Sequence, residues 1–180
     1  MRTWSIAFAA TGLFAGLATV AHAQAPVNLL LPTQGTREIG VSGQFEFSPN
    51  SDYTISADYG SFFSRKLEIG LNGLYQYSKP EHGGSGTNLF LGPFADYYFP
   101  NASATEPYVG VALGFSNDKA AGGPTTNTFA YGAQVGVKQF LNSNVAAFAE
   151  VPWRHYDKHI EGTGKSDSIG LNLGLAFYMR

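Results

Sequence analysis

From Arg37 to the end of the chain, apolar side chains return at every second position, the period of an extended strand with one apolar face rather than of a helix. Eight windows carry this alternation. In the first, Ile39, Val41, Phe45 and Phe47 alternate with Gly40, Ser42, Gln44 and Glu46; in the second, Tyr53, Ile55, Ala57 and Tyr59 alternate with Thr54, Ser56, Asp58 and Gly60. The third sets Leu67, Ile69, Leu71, Tyr75 and Tyr77 against Glu68, Gly70, Asn72 and Gln76. The fourth is bulky on both faces, with Leu89, Leu91, Ala95, Tyr97 and Phe99 opposite Asn88, Phe90, Gly92, Phe94, Asp96 and Tyr98. Val109 to Phe115, Phe129 to Val137 and Val145 to Trp153 continue the rhythm, and Ser168 to Phe177 closes it with the cleanest alternation of all.

Eight strands of about ten residues can close into a barrel, and an even count brings both ends of the sheet back to the same side. The face that is not apolar is mostly Gly, Ser, Ala, Asn and Gln, which solvates poorly but packs well in a narrow lumen. The continuous Leu, Val, Ile and aromatic face suits lipid. The expected fold is therefore an all-β, eight-stranded, antiparallel up-and-down transmembrane β-barrel; a soluble lipocalin-like barrel, apolar inside and charged outside, is the inverted alternative. With the N-terminus taken as periplasmic, the expected outer loops are Ser48–Asp52, Ser78–Gly86, Ser116–Thr126 and His155–Ser166. The expected turns are Ser61–Lys66, Pro100–Glu106 and Leu141–Asn144. Long loops on one side and short turns on the other are usual for outer-membrane barrels, and so are aromatic girdles. Here Phe45, Phe47, Tyr53, Tyr75, Tyr77, Phe115, Phe129, Tyr131 and Trp153 gather toward the loop side, and Phe63, Tyr97, Phe99 and Phe177 toward the turn side.

Composition sharpens this picture. Only 13% of the 180 residues are charged, about half the share of an ordinary soluble domain. Lys+Arg number 11 against 13 Asp+Glu, so there is no basic excess for nucleic acid. The absence of cysteine excludes disulfides, thiolate metal sites and a cysteine nucleophile. Arg2 followed by the small and apolar run Ser5–Val20 and the ending Ala21-His22-Ala23 reads as a cleaved signal peptide over residues 1–23. Residues 24–36, with Leu29-Leu30-Leu31-Pro32, form an N-terminal extension that could be an amphipathic stub, a turn-side plug or a linker. The barrel domain is expected over 37–180.

The signal peptide, the eight alternating strands and the terminal strand Ser168-Ile169-Gly170-Leu171-Asn172-Leu173-Gly174-Leu175-Ala176-Phe177-Tyr178 together resemble the small outer-membrane β-barrels of the OmpA/OmpX type. That resemblance implies the cell outer membrane as location, membrane lipid and lipopolysaccharide as surroundings, and the barrel-assembly machinery as a partner during insertion. In such families the last strand usually ends on an aromatic, and here Met179-Arg180 follow Tyr178.

Function then rests on sites. Glu46, Asp58, Glu68, Asp96, Lys138, Glu150 and Arg154 share the inward parity, and charges inside a barrel need partners. Arg154 and Glu46 are expected near the outer mouth with Glu150 below Arg154, and Lys138 with Asp96 or Glu68 near the periplasmic end. Such a network fills the lumen rather than opening a wide pore. A candidate interaction surface is His155, Tyr156, Asp157, His159 and Ile160. Trp153-Arg154-His155-Tyr156-Asp157 also resembles the His-x-Ser-Asn region of outer-membrane lipid A 3-O-deacylases, but Asp157 stands where those enzymes have the nucleophilic serine, and a carboxylate cannot replace an activated hydroxyl there. His82, His155 and His159 do not follow a metal-ligand spacing. The expectation is a structural or surface-interaction barrel, not an enzyme, with no cofactor and no metal; a lipid A-modifying acyl hydrolase is the minor alternative.

Overall fold

The computed structural model describes residues 31–46, 51–79, 85–101, 103–120, 123–157 and 166–180. The expected signal peptide and residues 24–30 of the extension lie outside them. Eight strands follow one another: β1 (Arg37–Glu46), β2 (Ser51–Ser64), β3 (Leu67–Lys79), β4 (Gly86–Tyr98), β5 (Thr105–Ala120), β6 (Thr125–Phe140), β7 (Val145–Tyr156) and β8 (Asp167–Met179). Each pairs antiparallel with its neighbours in sequence, and β1 closes on β8 through a ladder from Arg37↔Met179 to Glu46↔Gly170. Followed once around from Glu38, the register passes Gly60, Gly70, Phe94, Ala112, Gly132, Arg154 and Ser168, a level above Glu46 on β1. That stagger tilts the strands, as closure of a small barrel requires.

The facing follows the parity. Ile39, Val41, Ile55, Ile69, Leu71, Leu89, Leu91, Val111, Leu113, Val135, Leu173 and Leu175 are all exposed on the outside, while Ser42, Phe90, Phe94, Tyr98, Tyr108 and Phe148 are buried within. The inward glycines make room for the large side chains. A Cβ at Gly136 would strike the ring of Tyr108, one at Gly174 that of Phe148, and one at Gly110 the carboxylate of Asp96. An eight-stranded lumen is only wide enough for side chains when large and small ones complement each other in this way.

The aromatic bands also face outward. Tyr53 stacks on Tyr77 at 5.3 Å between ring centres, and Phe115, Phe129, Tyr131 and Trp153 form a continuous ladder across β5, β6 and β7 at the loop side. Tyr97 and Phe99 make the corresponding edge contact at the turn side. The side chains of Phe45 and Phe47 lie outside the description.

Two expectations about the connections change. The segment Ser116–Thr126 is mostly hairpin rather than loop: β5 continues to Ala120, and Asn117, Asp118 and Lys119 pair with Asn127, Thr126 and Thr125. Polar alternation sustains a strand outside an apolar belt as well as apolar alternation does within it, with Ser116, Asp118 and Thr128 turned inward. The connection between β4 and β5, residues 99–104, is no shorter than those between β1 and β2, β3 and β4, or β5 and β6. Only the segment between β7 and β8, residues 157–166, is long.

Candidate functional site

The lumen is stratified. At its turn-side end, a buried cluster gathers Phe62, Tyr98, Tyr108, Phe140, Phe148, Ala176 and Tyr178 from β2, β4, β5, β6, β7 and β8, together with Ala104 from the connection before β5 and Leu31. Leu31, in the last part of the expected extension, thus packs into this end of the lumen. Gly35, at φ 87°, supplies the left-handed conformation that lets the chain turn into the mouth before β1. The Gly35 amide donates to the Phe62 carbonyl at 2.8 Å, and the Phe62 amide donates to Thr36 at 2.9 Å.

Lys138 stands just inside this cluster, 3% exposed. Its ammonium lies 2.5 Å from Glu38 and 3.5 Å from Glu68, and within 6.0 Å of the ring centres of Tyr98, Tyr108, Phe148 and Tyr178. The Tyr98 hydroxyl donates to Glu68 at 2.6 Å. Carboxylates and ring faces together replace the hydration shell that burial strips from the ammonium.

In the middle of the lumen the groups are joined by amides. Glu150 accepts from the Tyr108 hydroxyl at 2.8 Å and from the Asn172 amide at 2.9 Å, and Asp96 accepts from Gln134 at 2.7 Å. Asp58 accepts from Asn72, whose oxygen accepts in turn from Arg154 at 3.3 Å. These groups border a cavity of about 30 Å³, room for about two water molecules and too small for a hydrated ion. Toward the loop side, Leu74, Phe90, Ala130 and Tyr156 form a second buried cluster, with the Arg154 guanidinium 4.4 Å from the centre of the Phe90 ring. Above it Asn88 donates to Ser116 at 2.6 Å and to Asp118.

Six of the seven inward charges expected from parity therefore sit in the lumen; Glu46 lies on β1, but its side chain is outside the description. The groupings differ in detail. Lys138 pairs with Glu68 as expected, yet its nearer partner is Glu38, and Asp96 is held by an amide instead. Arg154 reaches down to Asn72 and Phe90, deeper than the outer mouth. Glu38, Glu106 and Asp118 were missed because the strands were started or stopped too soon, although all three continue the even parity of their neighbours. Glu106 is buried at the turn-side end beside Lys138 in the ladder, with neither carboxylate oxygen hydrogen-bonded to another described residue.

The loop-side surface divides. Tyr156 is not a surface residue: it is 2% exposed because β7 continues through it at inward parity. His155 faces outward, its Nδ1 2.9 Å from an Asp167 carboxylate oxygen and its ring 5.2 Å from that of Tyr131. Asp157 is exposed just past the strand. His159 and Ile160, like His82, lie outside the described residues. Among the described residues, no group of three His, Cys, Asp or Glu side chains is arranged to hold a metal.

No protein-family model and no curated protein matches the chain. Its architecture does match solved structures. The N-terminal β-barrel domain of Pseudomonas aeruginosa OprF aligns at a TM-score of 0.57 and 20% identity, over 82% of this chain and 100% of that one. Neisserial surface protein A aligns at 0.55 and 20% identity, over 79% and 94%. The outer membrane protein OprG of Pseudomonas aeruginosa aligns at 0.56 and 9% identity, over 84% and 99%. The chain thus has the fold of the eight-stranded outer-membrane β-barrels.

Proposed function

We propose that this chain is an integral β-barrel of a bacterial outer membrane, with a filled lumen and a structural or surface-interaction role. The observation that carries this reading is the pairing of two faces. The outside is a continuous belt of exposed Leu, Ile, Val and aromatic side chains, and the inside is packed with hydrogen-bonded polar and ionic groups. In hydrocarbon every backbone N–H and C=O must find an internal partner, and a closed ladder provides it. Outer-membrane lipid and lipopolysaccharide are then the partners of the belt, and β8 would be presented to the barrel-assembly machinery during insertion. The loop-side ends of the strands, with His155, Asp157 and the 157–166 connection, are the part offered to external partners.

Fractionation of cells expressing the full chain, followed by electrophoresis of boiled and unboiled samples, tests the proposal. Heat-modifiable migration in the outer-membrane fraction is expected, and a soluble periplasmic protein without a mobility shift would overturn it in favour of a ligand-binding barrel. The acyl-hydrolase alternative has one point in its favour, the contact between His155 and Asp167, which resembles a base with its orienting acid. Against it, Asp157 occupies the position of the nucleophile. Incubating the folded protein with lipopolysaccharide and weighing the lipid A separates the two: unchanged mass is expected, and an acyl loss abolished by His155→Ala would establish the enzyme.

A further inference from the structure

We propose that residues 31–36 form a seated stopper which closes the turn-side mouth of the lumen, that Arg180 is its latch, and that water reaches the Lys138 ion centre from that side only when the stopper lifts. A segment that merely led into β1 would cross the mouth in the open. Instead Leu31 is 1% exposed and Pro32 is fully buried. The segment is shaped for this seat: Thr33 and Thr36 bond to each other, Thr36 N–H to the Thr33 carbonyl at 3.1 Å and Thr33 N–H to the Thr36 hydroxyl at 3.1 Å. From the other end of the chain, past the last residue of β8, the Arg180 guanidinium donates to the Leu31 carbonyl at 3.1 Å. Arg180 is itself exposed, so this bond is one that water can replace.

Position gives the stopper its consequence. Leu31 packs in one cluster with Tyr98 and Tyr178, and those two rings also enclose the Lys138 ammonium, at 5.1 and 6.0 Å. The cluster that receives Leu31 thus also supplies rings to the ion centre. Burying one leucine side chain favours the seated state by about 10- to 100-fold, enough to keep the mouth closed most of the time and little enough to let it open.

The chain has no cysteine, so a single introduced thiol reports on the seal. Ala104→Cys places it inside the cluster and Asn142→Cys on an exposed turn at the same end. Each full-length protein is folded in detergent micelles, checked for heat-modifiable migration and treated with a polar maleimide. The thiol at position 104 should react at least about 10-fold more slowly than the one at 142. Leu31→Gly should accelerate position 104 to near the rate of 142, Arg180→Ala should accelerate it less, and neither should move the rate at 142. A thiol at 104 as reactive as the one at 142, or unaffected by Leu31→Gly, would overturn the stopper. If Ala104→Cys does not fold, Ala146→Cys, in the same cluster, takes its place.

Discussion

Among the described residues, the lumen holds two cations in two quite different settings. Toward the turn side, Lys138 is wrapped by two carboxylates and four rings, with the stopper beneath it. Farther up, Arg154 donates to a neutral amide, Asn72, and to the Tyr156 hydroxyl, and its guanidinium lies 4.4 Å from the centre of one ring, Phe90. The compact ammonium is strongly hydrated and needs full charge replacement when buried, whereas the planar guanidinium is more weakly hydrated and is content with a ring face, an amide and a hydroxyl. The difference is one of charge compensation rather than of access to water. Lys138 with Glu38 and Arg154 border the same small cavity, and Leu74, Phe90, Ala130 and Tyr156 pack above Arg154 between it and the buried polar groups Asn88, Ser116 and Thr128.

This contrast is broken most directly by removing the charges. Lys138→Met leaves Glu38 and Glu68 buried without their counter-ion and should cost about 3–5 kcal/mol in a reversible lipid-vesicle unfolding assay. Arg154→Met removes hydrogen bonds to two neutral groups, Asn72 and Tyr156, and should cost about 1–3 kcal/mol. The double variant Lys138→Met/Glu38→Gln should regain part of the loss, because it takes away one of the two stranded carboxylates. Equal costs for Lys138→Met and Arg154→Met would mean that the carboxylates around Lys138 depend on it no more than the neutral groups around Arg154 depend on theirs.

The next largest effect concerns the outside. Leu173 is an outward residue of β8 that pairs with Gly43 and Ala149, well away from both strand ends. Leu173→Arg should cost about 2–4 kcal/mol if the belt faces hydrocarbon. Leu141 is equally apolar and more exposed, but it sits on the turn between β6 and β7, where Leu141→Arg should cost about 0–1 kcal/mol. The same assay reads both, and a Leu173→Arg cost within error of that of Leu141→Arg would reject the assigned depth.

What could be read in the sequence was parity. Because side chains alternate along a strand, the outward leucines of the strands and most of the inward charges were legible without knowing which strand lay beside which. Partnership was not legible, because it depends on stagger. Lys138 and Glu38 are a hundred residues apart, and the two meet only because tilt carries β6 and β1 to the same height across the lumen. Strand ends were hard to place for a related reason: Glu106 and Asp118 lie where polar neighbours suggested turn and loop, although their parity already marked them as inward. Tyr156 was taken for a loop residue on the same ground. The seat of Leu31 gave no periodic signal at all, since a leucine at the end of the run Leu29-Leu30-Leu31, ahead of a short polar turn, belongs to no alternation.

The smallest expected effect tests the close packing that the inward glycines serve. Midway along β4 the ladder to β5 is interrupted between Leu91↔Phe115 and Phe94↔Ala112, where Pro93 has no N–H to donate. There the two backbones crowd: a Cβ on Gly92 would meet the Leu113 carbonyl oxygen and the Gly114 Cα, and these cannot swing aside as a side chain tip could. Gly92→Ala should therefore cost about 1–3 kcal/mol through forced backbone displacement. Gly43 offers the contrast. It points outward between Ile55 and Leu173, and the nearest atom to an added Cβ is the Thr54 carbonyl oxygen at 4.0 Å. Gly43→Ala should change stability by no more than about 0.5 kcal/mol, because the methyl group meets only the surrounding acyl chains. If Gly92→Ala proved as harmless as Gly43→Ala, β4 and β5 would be able to part at this point, and the interrupted ladder would be a flexible seam in the barrel wall rather than a tight one.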